Sequence, residues 1–376
     1  MLLYRTNIKR NLKTFLILNG LTFFSSAIGL EVKVGAVLSM TGTLGSYGQD
    51  AKKGMELALA EMGNSEPKIK LIIEDSLSTP AEAAKAINKL VTSDKIAVAI
   101  GDVTSSNTIA AASIAEKSKI PIISPAATND SVTFQKKYVF RACFIDSFQG
   151  TVMATFATST LKAKTAIVME DSDSDYSKGL SKSFVENFTK NGGKVTKILR
   201  YSQKDTSYSA QLTEVRKIKP DILFIPGFHQ QVGVILRESK DLQISAKILG
   251  GDGWDTPELR QIAKGAENGS YISNHYIATG DNKKLQAFVK AYKAKFKEEP
   301  SSFAALAYDS IYMVRNAIKN KNSAEPEKIT EGLAAIQKFE GVTGMISMDK
   351  NHNPTKPAVV LEFIPNGYKY ISTVNP

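Results

Sequence analysis

The chain has 376 residues, 43% of them hydrophobic and 23% charged, and Lys and Arg outnumber Asp and Glu to a formal net charge of +11. This composition excludes a disordered or collagen-like chain, and the length permits two domains with separate cores. The single cysteine, Cys143, excludes an internal disulfide, so stability has to come from buried apolar surface.

The first element is a leader. Arg5, Lys9, Arg10 and Lys13 precede an apolar run from Phe15 to Phe24, and small residues follow to Ala27-Ile28-Gly29. That order is the three-part plan of a secretory signal peptide, and the apolar run is well short of the roughly 20 residues that span a bilayer. Residues 1–29 are expected to be removed near Gly29, and no cysteine stands there for lipid attachment. Without the four leader cations the charge falls to +7. The remaining lysines are spread along helical stretches such as KKLQAFVKAYKAKFKEE, the pattern of a solvated basic surface, so no nucleic-acid partner is expected.

From Val32 onward, short β-branched runs alternate with segments of helical period. VKVGAVL precedes QDAKKGMELALAEM, IKLIIED precedes PAEAAKAINKLVTS, and IAVAIG precedes SSNTIAAASIAEKS and IPIISP. The pattern restarts with a helix from about Phe148 to Leu161, then TAIVME, YSKGLSKSFVENFTKN, GKVTKILRY, YSAQLTEVRKIK, DILFIPG, HQQVGVILRESKD, AKILGG, PELRQIAKG and SYISNHY. Such alternation predicts an α/β protein of two doubly wound parallel-sheet lobes that meet near Asp146. Three late helices, KKLQAFVKAYKAKFKEE, FAALAYDSIYMVRNAIKN and PEKITEGLAAIQ, have no strands of their own and are expected to return to the first lobe. Three strand-like pieces, GMISMD, AVVLEFI and YKYISTV, end the chain. The expected division is residues 30–145 with 277–347 in lobe one and 146–276 with 348–376 in lobe two. More than one crossing between lobes makes a multi-strand hinge.

The residues show no catalytic, cofactor or metal motif. Gly42, Gly45 and Gly48 in MTGTLGSYGQD form GxxGxxG, which matches neither the dinucleotide fingerprint nor the P-loop. His229, His275 and His352 lack metal-ligand spacing. Asp171, Asp173 and Asp175 open like a calcium loop, but Tyr176 stands where glycine is needed and Lys182 where a bidentate Glu belongs. No GxSxG elbow is present, so no enzyme activity is expected.

Loops rich in small hydroxyl residues follow successive strands of the first series: SMTGTLGSYG, GDVTSSNT and SPAATND. In a doubly wound sheet the ligand crevice lies outside the carboxyl ends of the strands, and helix N-termini there carry unpaired N–H groups. Ser105 and Thr128 either cap those helices or bind a small carboxylate. The second series offers Tyr176, Phe228, Asp252 and Trp254 at its own strand ends. Asp252 is either a solvated turn residue in GGDG or the counter-charge for a ligand ammonium.

Across nearly the whole mature chain, VKVGAVLSMTGTLGSYGQDAKKGMELALAEM, IGDVTSSNT, IPIISPAATND, AIVMEDSDSDYSKGL, DILFIPGFHQQVGVILRE and ILGGDGWDTPEL follow one another in an order that resembles the periplasmic branched-chain (Leu/Ile/Val) amino-acid binding proteins, type I solute-binding components of ABC importers. The resemblance implies a monomeric periplasmic protein with hinged lobes that close on a free amino acid and deliver it to a permease and ATPase, without cofactor. By motif, Ser105 and the Thr128 backbone would hold the ligand carboxylate, and the Ala126 carbonyl, Thr128 hydroxyl and Asp252 the ammonium. Tyr47, Val103, Tyr176, Phe228, Trp254 and Phe303 would line the side-chain pocket, with the glycine loop and Tyr47 forming a wall close to the ligand. This chain departs from the family at Asp252, where glutamate is frequent, at Phe228, where tyrosine is common, and at Thr104, where some members have a disulfide cysteine. A small-metabolite sensor for an amide or urea on the same fold is the alternative use.

Overall fold

A computed structural model describes residues 31–376; the expected leader, residues 1–29, lies outside them. The first half of the chain runs β1 (Glu31–Leu38), α1 (Gly45–Met62), β2 (Lys68–Asp75), α2 (Pro80–Lys89), β3 (Val98–Ile100), α3 (Ser105–Lys117), β4 (Ile122–Ser124) and β5 (Val139–Arg141). These strands form one parallel sheet in the order β2-β1-β3-β4-β5. The second series runs α4 (Asp146–Thr155), β6 (Thr165–Asp171), α5 (Asp175–Lys190), β7 (Lys194–Tyr201), α6 (Ser209–Ile218), β8 (Ile222–Ile225), α7 (His229–Asp241), β9 (Lys247–Gly250), α8 (Pro257–Ala263) and β10 (Tyr271–Asn274). Its strands repeat the same order, β7-β6-β8-β9-β10. Both lobes therefore have a topological switch point, between β1 and β3 and between β6 and β8, which is where the loops part and leave a crevice.

The rest of the chain runs α9 (Lys283–Phe296), α10 (Ser302–Lys321), α11 (Pro326–Ala334), β11 (Phe339–Gly341), β12 (Gly344–Met348), β13 (Pro354–Thr355), β14 (Ala358–Ile364) and β15 (Gly367–Val374). The last two strands add antiparallel to β10 and extend the second sheet to seven strands. The alternation read from the sequence thus appears as two doubly wound lobes. The helix expected at residues 148–161 begins two residues earlier, at Asp146, and ends in a wider turn over Phe156–Thr160. The chain passes between the lobes at residues 142–145, 275–282 and 356–357.

Sequence chemistry accounts for the element starts. Thr79, Ser174, Thr256, Asn282 and Ser301 each accept a hydrogen bond from a first-turn N–H of the helix that follows. The strands of both sheets are apolar on two faces because helices cover both, as β3, β4 and β8 show with every residue buried.

Helix α10 lies along α1, and the sequence allows the close approach through Gly54. A Cβ at Gly54 would stand 2.0 Å from the Ala304 carbonyl oxygen, a backbone atom that cannot turn aside. Ala in an exposed helix gains about 1 kcal/mol over Gly. Here overpacking, at about 1–3 kcal/mol, reverses that sign. Gly54→Ala is expected to lower the urea midpoint of unfolding by a net cost of about 1–2 kcal/mol; an unchanged or raised midpoint would mean that the two helices do not meet there.

One turn earlier, Asp50 accepts a hydrogen bond from the Ser301 hydroxyl at 2.7 Å, with Lys53 Nζ 3.7 Å away. Burial pushes its carboxyl up to about 6, against the lowering effects of Ser301 and Lys53. A raised folded pKa contributes stability that is complete below the unfolded value near 3.8 and is lost as pH rises through 6. Asp50→Asn keeps the acceptor and removes the titration. Urea titrations from pH 4 to 7 should show wild type losing about 2–3 kcal/mol relative to the variant; parallel profiles would place Asp50 in solvent.

Candidate ligand-binding site

Five helix N-termini meet in the crevice between the switch points, those of α1, α3, α5, α7 and α10, carrying Tyr47, Ser105, Tyr176, His229 and Phe303 in their first turns. The partial positive charge of these helix starts makes the crevice favourable to a carboxylate.

On the first lobe, a buried carboxylate shapes the loop after β3. Asp102 accepts from Ser39 Oγ at 2.9 Å, Ser76 Oγ at 2.6 Å, Thr104 N–H at 3.0 Å and Asn107 Nδ2 at 3.3 Å. This fixes Val103, Thr104 and Ser105 at the head of α3. Ser105 is already inside the helix and does not cap it; its Oγ accepts from the Asn129 N–H at 3.2 Å and keeps its proton to donate. The loop after β4 is pinned by the fully buried Arg141, which donates to the carbonyls of Ala127 at 2.8 Å and Asn129 at 2.9 Å. That leaves the Ala126 carbonyl and the Thr128 N–H without a protein partner among the described residues. The Thr128 carbonyl accepts from the Asp146 N–H at 2.8 Å, so Thr128 is not a helix cap either.

On the second lobe, Asp252 is neither solvated nor alone. It is 3% exposed; Oδ1 accepts from Gln149 Nε2 at 2.7 Å and Tyr176 O–H at 3.0 Å, and Oδ2 lies 3.0 Å from His275 Nε2. Burial pulls the His275 pKa down against the opposing effect of Asp252, so the imidazole is neutral with its proton on Nε2 facing the carboxylate. Burial raises Tyr47 and Tyr176 well above the usual phenol value, and both stay protonated donors.

The aromatic residues form a continuous wall. Ring centroids stand 4.5 Å apart for Phe303 and Tyr47, 5.8 Å for Tyr47 and Phe228, and 5.3 Å for Phe228 and Tyr176. The Tyr47 hydroxyl joins the lobes, donating to the Gly253 carbonyl at 2.6 Å and accepting from the His229 N–H at 3.1 Å. A second bridge runs from Ser106 Oγ to Asp175 Oδ2 at 2.9 Å and from Asn129 Nδ2 to the Asp175 carbonyl at 2.7 Å. The lobes are therefore in contact across the crevice, with Ser105, Thr128, Tyr47 and Phe303 on one side and Tyr176, Phe228 and Asp252 on the other.

Two expectations need correction. Trp254 does not line the pocket. Its indole is fully buried, donates from Nε1 to the Ile225 carbonyl at 3.1 Å and packs 6.2 Å from Phe363 in the outer core of the second lobe. Gly250 makes room for it, since a Cβ there would stand 2.2 Å from the indole. The glycine loop also serves the fold more than the ligand. Gly42 takes a positive φ of 85°, and a Cβ at Gly48 would stand 2.0 Å from the Ser39 carbonyl oxygen, so these glycines let α1 press on the end of β1. The acidic run Asp171, Asp173 and Asp175 is spent on hydrogen bonds to Gln203, Ser202 and Ser106.

The residue that sequence reading passed over is Asp146. It stands 1% exposed at the start of α4, and neither carboxyl oxygen has a hydrogen-bond partner among the described residues. The Thr128 hydroxyl is near enough to lower its pKa but outside bonding geometry. Burial, reinforced by the negative charge of Asp252, raises the Asp146 carboxyl well above the ordinary range. The crevice thus combines the Thr128 N–H and the Ser105 hydroxyl with two buried carboxyls, an arrangement that suits a small zwitterion.

The chain is similar to proteins of known sequence and structure along most of its length. A leucine-, isoleucine-, valine-, threonine- and alanine-binding protein of Pseudomonas aeruginosa is 27% identical over 85% of this chain and 86% of its own length. A leucine-binding protein LivK of Thermotoga maritima is 35% identical and superposes with a TM-score of 0.89 over 92% of this chain and 99% of that one. The branched-chain amino-acid transporter substrate-binding protein LivJ of Streptococcus pneumoniae, solved with isoleucine, is also 35% identical, with a TM-score of 0.87 over 92% and 100%. A solute-binding protein from R. palustris solved with benzoate, 24% identical with a TM-score of 0.85 over 92% and 97%, shares the fold. Residues 31–368 match the periplasmic binding protein family, and the chain belongs to that family.

Proposed function

We propose that this chain is the extracytoplasmic substrate-binding component of an ABC importer and captures a free L-amino acid with an apolar side chain, branched-chain or otherwise hydrophobic. The observation that carries this reading is the pair of buried carboxyls, Asp146 without partners and Asp252 beside it, at one end of a crevice ringed by helix N-termini. In this reading the ligand carboxylate takes the Ser105 hydroxyl and the Thr128 N–H. The three N–H groups of the ammonium take the Ala126 carbonyl, the Thr128 hydroxyl and the remaining lone pair of Asp252, with Asp146 beside them as a second negative charge. The ligand side chain lies against Val103, Tyr47, Tyr176, Phe228 and Phe303. The hydroxyls of Tyr47 and Tyr176 are already engaged with Gly253, His229 and Asp252, which favours an apolar ligand side chain over a hydroxylated one. The isoleucine held by the S. pneumoniae relative supports the same class.

Residues 30–145 with 277–355 act as one rigid lobe and residues 146–276 with 356–376 as the other, turning about the three connections; the expected boundary at 347/348 would cut β12 and part it from β13, with which it pairs. The first lobe takes the ligand, and closure adds Asp252, Asp146 and the Tyr47 bridge while excluding water. The protein works as a monomer in the periplasm after removal of residues 1–29, delivers its ligand to a membrane permease with its ATPase, and performs no covalent chemistry. Charge-assisted hydrogen bonds contribute about 1.5–3 kcal/mol each. Three or four of them supply the roughly 8 kcal/mol of micromolar affinity after the cost of closure.

Calorimetry on residues 30–376 with a full panel of L-amino acids is expected to give one-to-one binding of leucine, isoleucine or valine. No heat and no melting shift across the panel would end the amino-acid reading. Asp252→Ala should weaken binding at least about tenfold, one lost charge-assisted contact, with an unchanged circular dichroism spectrum; unaltered affinity would remove Asp252 from the site.

Asp146 gives a pH signature. Its carboxyl is raised by burial, and an arriving ammonium favours the ionised form, so binding displaces a proton and strengthens as pH rises above the ordinary carboxylate range. Calorimetry in buffers of different ionisation heat should detect proton release in wild type and none in Asp146→Asn. Equal release in both would show that Asp146 does not face the ligand.

A further inference from the structure

On the first lobe, about 18 Å along the α10 axis from Phe303, lies a hollow of about 380 Å³ that the crevice does not use. The carboxyl half of α10 forms one wall, where Tyr312, Arg315 and Lys319 follow at helical spacing and so share a face. Lys284, from the first turn of α9, and Lys338 with Phe339, at the start of β11, form the others.

Four cations therefore surround one concavity. Neighbouring Lys293 and Lys321 pair with Glu299 and Glu331, but Lys284, Arg315, Lys319 and Lys338 make no ion pair among the described residues. The hollow contains one acid, Glu340, and it is the Glu340 backbone carbonyl that takes the Lys284 ammonium. Lys284 Nζ is also held 5.3 Å over the Phe339 ring and 5.9 Å over Tyr312. Arg315 is oriented before any ligand arrives: Nη2 donates to Ser65 Oγ at 3.0 Å and to the Glu66 carbonyl at 3.3 Å, while its Nε is buried without a partner. Lysine and arginine have donors and no acceptor, and like charges in a concave wall focus their field inward.

We infer that this hollow binds a phosphate-bearing polyanion, through Lys284, Arg315, Lys319 and Lys338. Four cations exceed what one carboxylate neutralises, the planar guanidinium and mobile ammonium groups suit phosphate oxygens, and the volume admits more than one phosphate group. The same chemistry occurs in a soluble diphosphate and in an anionic lipid headgroup. The site is separate from the amino-acid crevice, and its occupancy does not depend on that assignment.

The test is calorimetric titration of residues 30–376 with inorganic pyrophosphate at about 150 mM salt, where weak surface attraction is screened, in parallel with flotation on phosphatidylcholine vesicles with and without phosphatidic acid. Saturable one-to-one pyrophosphate binding, weakened at least about tenfold in the Lys319→Gln, Lys338→Gln double variant, is the expected result. Both lysines are exposed, so the variant keeps its fold, and its melting temperature checks this. Flotation restricted to vesicles with phosphatidic acid, and lost in the variant, would assign the lipid source; pyrophosphate binding without flotation would assign the soluble one. Neither binding, or equal affinity in wild type and variant, would overturn the inference.

Discussion

A buried acid without hydrogen-bond partners among the described residues, Asp146 at the junction of the lobes, is the constraint on which the rest of the structure turns. A carboxylate taken out of water is costly unless a cation or several donors replace the lost solvation. Asp252 has Gln149, Tyr176 and His275 in that role, whereas Asp146 has none, and its raised pKa expresses that cost. Asp146 begins α4 directly after the first connection between the lobes, and Asp252 follows β9 on the same, second lobe. The second lobe therefore presents two neighbouring acids to the crevice, and a ligand with a positive end offsets the cost of ionising both.

The fold supplies the opposite pole by repetition. Two sheets with the same strand order place two switch points face to face, and the helices leaving them point their N-termini inward. Residues that never reach the crevice hold these loops still. Asp102 gathers five donors from β1, β2 and α3 loops, and Arg141 threads its guanidinium through the carbonyls after β4. At the third connection, the buried Lys356 donates to Thr343 Oγ1, which in turn donates to Asp309 on α10 at 2.7 Å. Lobes joined by three separate connections favour rotation over local rearrangement.

Local sequence carried much of this. The alternation of β-branched runs with helical segments gives both sheets, and hydroxyl-rich loops at strand ends mark the crevice, because these are short-range properties of the chain. Asp146 escaped notice because one acid at a helix start is an ordinary N-terminal residue. Its isolation depends on Thr128 and Asp252, which are distant in sequence. Gln149 and His275 were missed for the same reason, since each acquires meaning only through Asp252. Trp254 was misplaced because adjacency to a strand end does not say which side of a turn a side chain takes; the slot left by Gly250 decides it. The glycine spacing around Gly48 likewise reflects contact with the chain's own Ser39 backbone.

The most direct measurement of the central claim compares isoleucine with its analogue lacking the amino group, 3-methylvaleric acid, by calorimetry at pH 7. If buried acids demand a positive partner, the analogue should bind at least about a hundredfold more weakly, a loss of two charge-assisted contacts or about 3 kcal/mol. Equal affinity for the two would contradict the account.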